Sequence, residues 1–335
     1  MCLNGGCVCP PGTHECVGTC LPDVSVDSCG TSCAPCPAPQ NSDNVTCDGM
    51  TCAFACGLGF TVCATACADV QMDSANCGAC AHDCFGGACD AGVCQPVVLT
   101  TGQPDVLFLA VNATNLYWTT DPATVVTMPI GGGSPTTLFS GPTSLEGIAV
   151  DATSVYFSTY VEDTILTLPL AGGSPTTFAS GLARPLGVAV DATNVYFADF
   201  DGSVVEIPLA GGSPVTLTPM PAGFANFATG IAVNASNIYW SSGTTLNEMP
   251  LAGGVSADLV DGQDDAFGIA LDDTNVYWTT LYGGVVQKMP LGGGAVTTLV
   301  SGLSAYASGI AVDDTSIYWA ATTASEVGSI MRLAK

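Results

Sequence analysis

The residues of this 335-residue chain that could do chemistry fall into two stretches that do not mix. All 18 cysteines lie between Cys2 and Cys94, and residues 95–335 contain none. Thiol chemistry is therefore confined to the first stretch, either as disulfides or as thiolates on a metal. The second stretch offers carboxylates and aromatic rings. It has no histidine, so it lacks the commonest general bases as well as the commonest nucleophile.

The cysteine spacing is a repeat. Cys9-x6-Cys16-x3-Cys20 matches Cys56-x6-Cys63-x3-Cys67, and each copy closes on Cys-x4-Cys, at Cys47/Cys52 and Cys89/Cys94. One module, residues 9–55, holds Cys9, Cys16, Cys20, Cys29, Cys33, Cys36, Cys47 and Cys52. The next, 56–95, holds Cys56, Cys63, Cys67, Cys77, Cys80, Cys84, Cys89 and Cys94. Eight per module is an even number, as pairing requires, and the connectivity stays open. Zinc is the rival, since Cys33-x2-Cys36 and Cys77-x2-Cys80 have ligand spacing. No histidine follows at finger spacing, and His14 and His82 stand alone. Disulfides are expected, and with them an oxidising, extracellular-type compartment. Cys2 and Cys7, in "CLNGGC", repeat the closing spacing, so residues 1–8 read as the tail of a further module. A signal peptide is then expected upstream of Met1.

The charge excludes whole classes of function. There are 29 acids against four bases, Arg184, Lys288, Arg332 and Lys335, for a net charge of −25. Phosphate backbones and anionic membrane surfaces need clustered Lys and Arg, so nucleic acid is excluded as a partner. No run of apolar residues is long enough to span a bilayer, so no membrane insertion is expected.

The elements that must position the carboxylates and rings come from a second repeat. "LAVNATNLYWTT", "IAVDATSVYFST", "VAVDATNVYFAD", "IAVNASNIYWSS", "IALDDTNVYWTT" and "IAVDDTSIYWAA" recur with tyrosines at 117, 156, 196, 239, 277 and 318. A period near forty residues marks a solenoid or a propeller. Each unit reads as four short strands: "GIAV", a polar turn such as "DATN", "VYWTT", a variable loop, "GSVVEIPL", an "AGGSP" turn, and "TTLFSG". The sixth unit lacks its fourth strand, while "PVVLTTG" after the last cysteine aligns with "PTTLFSG". Strand 96–102 therefore pairs with 329–335 and closes a ring. The fold class is all-β: a six-bladed propeller over 96–335, preceded by a disulfide-rich region with little regular secondary structure. Small Ala110, Ala149, Ala189, Ala232, Ala270 and Ala311 suit its crowded axis. Trp118, Phe157, Phe197, Trp240, Trp278 and Trp319 wedge between blades. Asp or Asn opens each "DATN" turn by capping its own backbone.

"YWTT", "YFAD" and "VAVDATNVYFADFDG" resemble the YWTD repeats of low-density-lipoprotein-receptor-type proteins. That resemblance implies a six-bladed propeller that binds proteins, often beside cysteine-rich modules. "CVGTCLPDVSVDSCG" and "CATACADVQMDSANCGAC" are similar to stigma-specific-protein modules. This second resemblance implies an extracellular module without catalysis, of a kind frequent in surface proteins of large-genome soil bacteria.

Within the propeller, loops between second and third strands share one face with the links between blades, here the top. These segments vary, whereas the "DATN" and "AGGSP" turns opposite are nearly constant, and variable loops on a constant scaffold are where binding resides. Eleven of the 20 acids in residues 96–335 fall on the top. The ligand-binding candidates are Tyr160, Glu162, Asp163, Arg184, Asp199, Phe200, Asp201, Phe224, Phe227, Asp264, Asp265, Tyr282 and Tyr306. Acids mixed with aromatics suit a glycan, a peptide or a protein. "DFDG" makes Asp199 and Asp201 the calcium candidates, with no other cofactor expected. No catalytic residue is assigned, because only Glu146 is acidic among the positions at the mouths of the first strands. An extracellular binding or adhesion protein is expected, secreted or at the cell surface. The alternatives are self-assembly into a surface layer or filament, and a propeller hydrolase or lyase.

Overall fold

A computed structural model describes residues 2–3, 6–141, 144–218, 228–303, 306–322 and 327–335, with no side-chain description before Val8. Two compact units divide the chain, Met1–Gln95 and Pro96–Leu333. Among the described residues all regular structure is strand, and no helix is long and apolar enough to cross a membrane.

The first unit consists of short hairpins, such as Thr13–Cys16 with Thr19–Pro22 and Thr61–Cys63 with Ala66–Ala68. Eight disulfides tie them together: Cys9–Cys20, Cys16–Cys33, Cys29–Cys47 and Cys36–Cys52, then Cys56–Cys67, Cys63–Cys80, Cys77–Cys89 and Cys84–Cys94. In each module the first cysteine pairs with the third, the second with the fifth, the fourth with the seventh and the sixth with the eighth. The two modules differ in the placement of the fourth cysteine by one residue and in the sixth-to-seventh spacing, Cys36-x10-Cys47 against Cys84-x4-Cys89, and the pairing order is unaffected. The sulfurs of the zinc-spaced pairs are consumed by these bonds. His14 donates or accepts at both ring nitrogens, 2.9 Å from Asp23 Oδ1 and 2.9 Å from the Ser32 carbonyl, and so pins the first hairpin to the chain after it. Cys2 and Cys7 face each other across a two-stranded ladder, in the register of Cys89 and Cys94; their side chains lie outside the described residues.

The second unit is six four-stranded antiparallel sheets. The first strands are Asp105–Val111, Leu145–Val150, Pro185–Val190, Ala228–Val233, Ala266–Leu271 and Tyr306–Val312, and these open blades 1 to 6. The last sheet is completed by Val97–Gln103, which pairs with Gly328–Ala334 in the register Val97↔Arg332 and Thr100↔Ile330. The ring is thus closed by joining its two chain ends.

Three residue columns hold the blades together. The wedge rings are buried: Trp118, Phe157, Trp278 and Trp319 are fully covered. Trp118 packs against Ala311 and Tyr318 of the preceding blade. Glycines 147, 187, 230, 268 and 309 lie against the next first strand, where a Cβ on Gly309 would stand 2.5 Å from Phe108 Cα and one on Gly268 2.8 Å from the Ser308 carbonyl. The third column is made of hydroxyls. Every first strand has a register shift, for example between Ala266 and Ile269. The amide freed there is taken up by the hydroxyl after the wedge ring: Gly268 N–H donates to Thr279 Oγ1 at 3.0 Å, and Gly230 N–H to Ser241 Oγ at 2.8 Å. The same hydroxyls donate onward to the next blade, Thr279 to the Ser308 carbonyl at 2.5 Å and Ser241 to the Phe267 carbonyl at 2.7 Å. Thr119 and Ser158 do likewise, to the carbonyls of Glu146 and Leu186.

Candidate functional site

The two faces of the ring differ in how fully their polar groups are used. On the "DATN" face, Asp151 Oδ1 accepts the backbone amides of Thr153 and Ser154 at 2.7 and 2.8 Å, and Oδ2 accepts the Tyr156 hydroxyl at 3.0 Å. Asp191–Tyr196, Asp272–Tyr277 and Asp313–Tyr318 repeat the arrangement. Burial opposes charge on Asp151 and Asp191, but the hydrogen bonds outweigh it and hold both carboxyls below their ordinary range. Burial, followed by the partner aspartate, pushes Tyr156 and Tyr196 up to about 12. Each Asp is therefore structural, because both of its oxygens are occupied within its own turn. Between blades 5 and 6 this face carries a cleft of about 470 Å3 lined by Asp272, Asp273, Asp313, Asp314 and Lys335. Lys335 occupies it, 2.6 Å from Asp272 Oδ2 and 3.0 Å from the Asp313 carbonyl. Along the axis the six column alanines line an apolar cavity of about 180 Å3 with no charged side chain.

The top face presents side chains without such repetition. Between blades 2 and 3, Tyr160 and Phe200 meet edge to face with ring centroids 5.6 Å apart. The Arg184 guanidinium lies 4.6 Å from the Phe200 centroid and reaches the Tyr160 hydroxyl at 3.3 Å. The Arg184 backbone amide donates to Asp163 Oδ1 at 3.1 Å, and its carbonyl accepts the Phe200 amide at 3.0 Å. Both Arg184 and Asp163 hold positive φ, 57° and 54°, so these hydrogen bonds fix two unfavourable backbone positions.

Asp199, in the same junction, is 5% exposed, and no donor reaches its buried Oδ1. Burial, then Asp201 and Asp163, pushes its carboxyl up to about 7. Asp201 Oδ1 is occupied by the Ser203 amide at 2.9 Å and by the Ser203 hydroxyl. Among the described residues, the groups of three ligand atoms close enough to share one ion all contain cysteine, so Asp199 and Asp201 do not converge with a third acid. Glu162 is exposed.

Between blades 5 and 6, Tyr282 and Tyr306 meet edge to face at 5.8 Å and are 68% and 42% exposed. Asp264 lies against Gly283, the residue after Tyr282: its Oδ2 is 3.4 Å from where a Cβ there would stand. The Asp265 carbonyl accepts the Leu281 amide at 2.8 Å, and burial followed by Asp264 raises its carboxyl. Phe224 and Phe227 lie outside the described residues.

Two features of this face escaped the choice of candidates. Glu146 is mostly buried at the mouth of the axis, and burial, with Asp121 and Asp105 nearby, pushes it up to about 7 despite the Ser144 hydroxyl. Phe108 stands in the glycine column and stacks on Phe267 at 5.0 Å. The break in the glycine column was the signal for the second; the burial of Glu146 has no signature in the sequence.

No protein-family model matches the chain, and no curated protein matches it. Solved structures match the propeller. A chain of a nidogen–laminin complex is 22% identical, with 56% of this chain and 77% of that one covered and a TM-score of 0.52. A catalytically inactive histidine-to-alanine variant of virginiamycin B lyase from Staphylococcus aureus, with quinupristin, is 13% identical over 69% and 81%, TM-score 0.54. The PQQ-bound aldose sugar dehydrogenase from Streptomyces coelicolor is 15% identical over 72% and 98%, TM-score 0.55. At these identities the likeness is one of fold, and the fold serves both binding proteins and enzymes.

Proposed function

We propose that this chain is an extracellular binding protein that captures a peptide, glycan or protein on the variable-loop face of its propeller. The observation that carries the reading is the exposed Tyr282–Tyr306 pair at a blade junction, on the face whose side chains do not repeat from blade to blade. Rigid, exposed rings supply contact area at small entropic cost. The disulfide modules support a secreted or cell-surface setting. The test is a glycan and peptide array probed with the full-length protein. Hits should weaken with Tyr282→Ala or Tyr306→Ala and persist with Asp314→Ala on the opposite face. Hits indifferent to the two tyrosines, or lost equally with Asp314→Ala, refute the reading.

A second reading is supported by Glu146 and Asp199, two carboxyls held near 7 and so able to exchange protons at neutral pH. It would make the propeller a hydrolase or lyase. Against it, residues 96–335 hold no histidine, whereas the lyase with the same fold is inactivated when one histidine becomes alanine. Turnover of any substrate in a panel, lost with Glu146→Gln or Asp199→Asn, would establish it.

A further inference from the structure

Two blade junctions three blades apart, on opposite sides of the ring, carry paired aromatic rings on the top face. At the junction of blades 2 and 3 the pair is already filled: the Arg184 guanidinium stands 4.6 Å from the Phe200 centroid and 5.8 Å from that of Tyr160. At the junction of blades 5 and 6, Tyr282 and Tyr306 form a pair of nearly the same geometry, 5.8 Å and 82° against 5.6 Å and 77°. Arg184 and Tyr306 hold the same place in the repeat, five residues before the column alanines Ala189 and Ala311. The position that supplies a cation at one junction supplies a ring at the other.

No cation of this chain is left to fill the second pair. Lys288 and Lys335 lie 5.9 and 5.8 Å from the Tyr277 ring, in the blade body and at the opposite face. Arg332 is 7% exposed and donates to the Ile130 carbonyl at 3.4 Å. The negative faces of the rings attract a cation. The Asp264 carboxylate beside Gly283, with Asp265 next in the same link, adds negative charge against the loop that carries Tyr282.

We propose that Tyr282 and Tyr306 take an arginine side chain from a partner peptide, stacked as Arg184 is stacked on Tyr160 and Phe200. This deepens the binding reading above and rests on it. The planar, weakly hydrated guanidinium suits two rings meeting at an edge better than a compact ammonium does, and the net charge of −25 draws a basic segment toward this surface and repels an acidic one.

The test titrates the full-length protein calorimetrically with acetyl-Gly-Arg-Gly-Arg-Gly-amide and with the same peptide carrying neutral citrulline for arginine. The arginine peptide should bind and the citrulline peptide should not. Tyr282→Ala should weaken binding by about two- to fivefold, the size of an exposed cation–π contact, while Tyr282→Phe retains it. Arg184→Ala should vacate the first pair and add a second binding event. An arginine peptide that does not bind, that binds the Tyr282→Ala/Tyr306→Ala double variant unchanged, or that is matched by citrulline overturns the proposal. A neutral array ligand whose binding falls with Tyr282→Ala, alongside no effect on the arginine peptide, overturns the arginine assignment and leaves the top-face reading standing.

Discussion

Thr279→Val tests whether the ring is held by hydroxyls that span its junctions. The side chain is fully buried, accepts the Gly268 amide at 3.0 Å and donates to the Ser308 carbonyl of the next blade at 2.5 Å. Valine keeps the shape and removes both bonds, leaving a backbone donor and a backbone acceptor buried without a partner. Each such group costs about 1–3 kcal/mol, so the pair, with some relaxation, should cost roughly 2–4 kcal/mol. For a unit of this size about 1 kcal/mol moves Tm by roughly 2–4 °C, which predicts a fall on the order of 5–15 °C. All four tryptophans lie in the propeller, so their fluorescence during thermal unfolding reads this unit alone. Thr279→Ser is the control: it keeps the hydroxyl and loses a methyl, about 1 kcal/mol. If the valine variant unfolds with the serine variant, the hydroxyl bridge is not a determinant of stability and the reasoning fails.

Three further outcomes are expected. Glu146 and Asp199, held up near 7, keep protons between about pH 4 and 7 that the unfolded chain has released. Stability should therefore fall as pH rises through that window, with a higher Tm at pH 5 than at pH 8, and Glu146→Gln with Asp199→Asn should flatten the difference; a profile unchanged by both substitutions would count against their burial. Below that window the trend reverses, because Asp151 and Asp191 lose their lowered-pKa stabilisation as they are protonated. Gly309→Ala places a Cβ 2.5 Å from Phe108 Cα, a backbone atom that cannot swing aside, and should cost about 1–3 kcal/mol or more in urea unfolding, whereas Gly292→Ala, whose Cβ would meet nothing within 4 Å, should leave the blade junctions intact. Val98→Cys with Met331→Cys, directly opposite in the closing ladder, should give a disulfide-linked peptide in a non-reducing digest; its absence would place the two chain ends apart.

The ring was legible because its constraint repeats. A period near forty, an unfinished sixth unit and a surplus strand at residue 97 are visible without coordinates, as are the wedge and alanine columns. The disulfide order was not, since eight cysteines allow 105 pairings and spacing ranks them weakly. The bridging hydroxyls were hidden for another reason: Thr119, Ser158, Ser241 and Thr279 read as ordinary strand residues, and only the register shift one strand away gives them an amide to accept. The absence of a hydroxyl at Ala198 and Ala320 further blurred the column; at the second, Ser308 reaches across to the Val106 carbonyl at 2.6 Å instead. Arg184 was a candidate as the only base of the top loops, but its seat on two rings depends on blades 2 and 3 lying side by side.

The contrast between the faces follows from where the repeat stops constraining the chain. On the "DATN" side the turns are nearly alike, and in four blades the Asp oxygens accept the turn amides and the tyrosine hydroxyl within one turn, so a change of the Asp there costs stability. Past the fourth residue of the second-strand motif this requirement ends. The next residues, Asp121, Tyr160, Phe200, Gly243, Leu281 and Thr322, share neither charge, size nor shape. A residue freed from the ladder and the junction would be expected to become polar in solvent, yet this position and its neighbours place Tyr160, Phe200, Tyr282 and Tyr306 in edge-to-face pairs at the rim. Neither pair is required to close the ring, because blades 1 and 4 hold Asp121 and Gly243 at the same position and pack as well. Rings that the scaffold does not need, on the only face where it leaves side chains free to differ, are where recognition by this propeller should be sought.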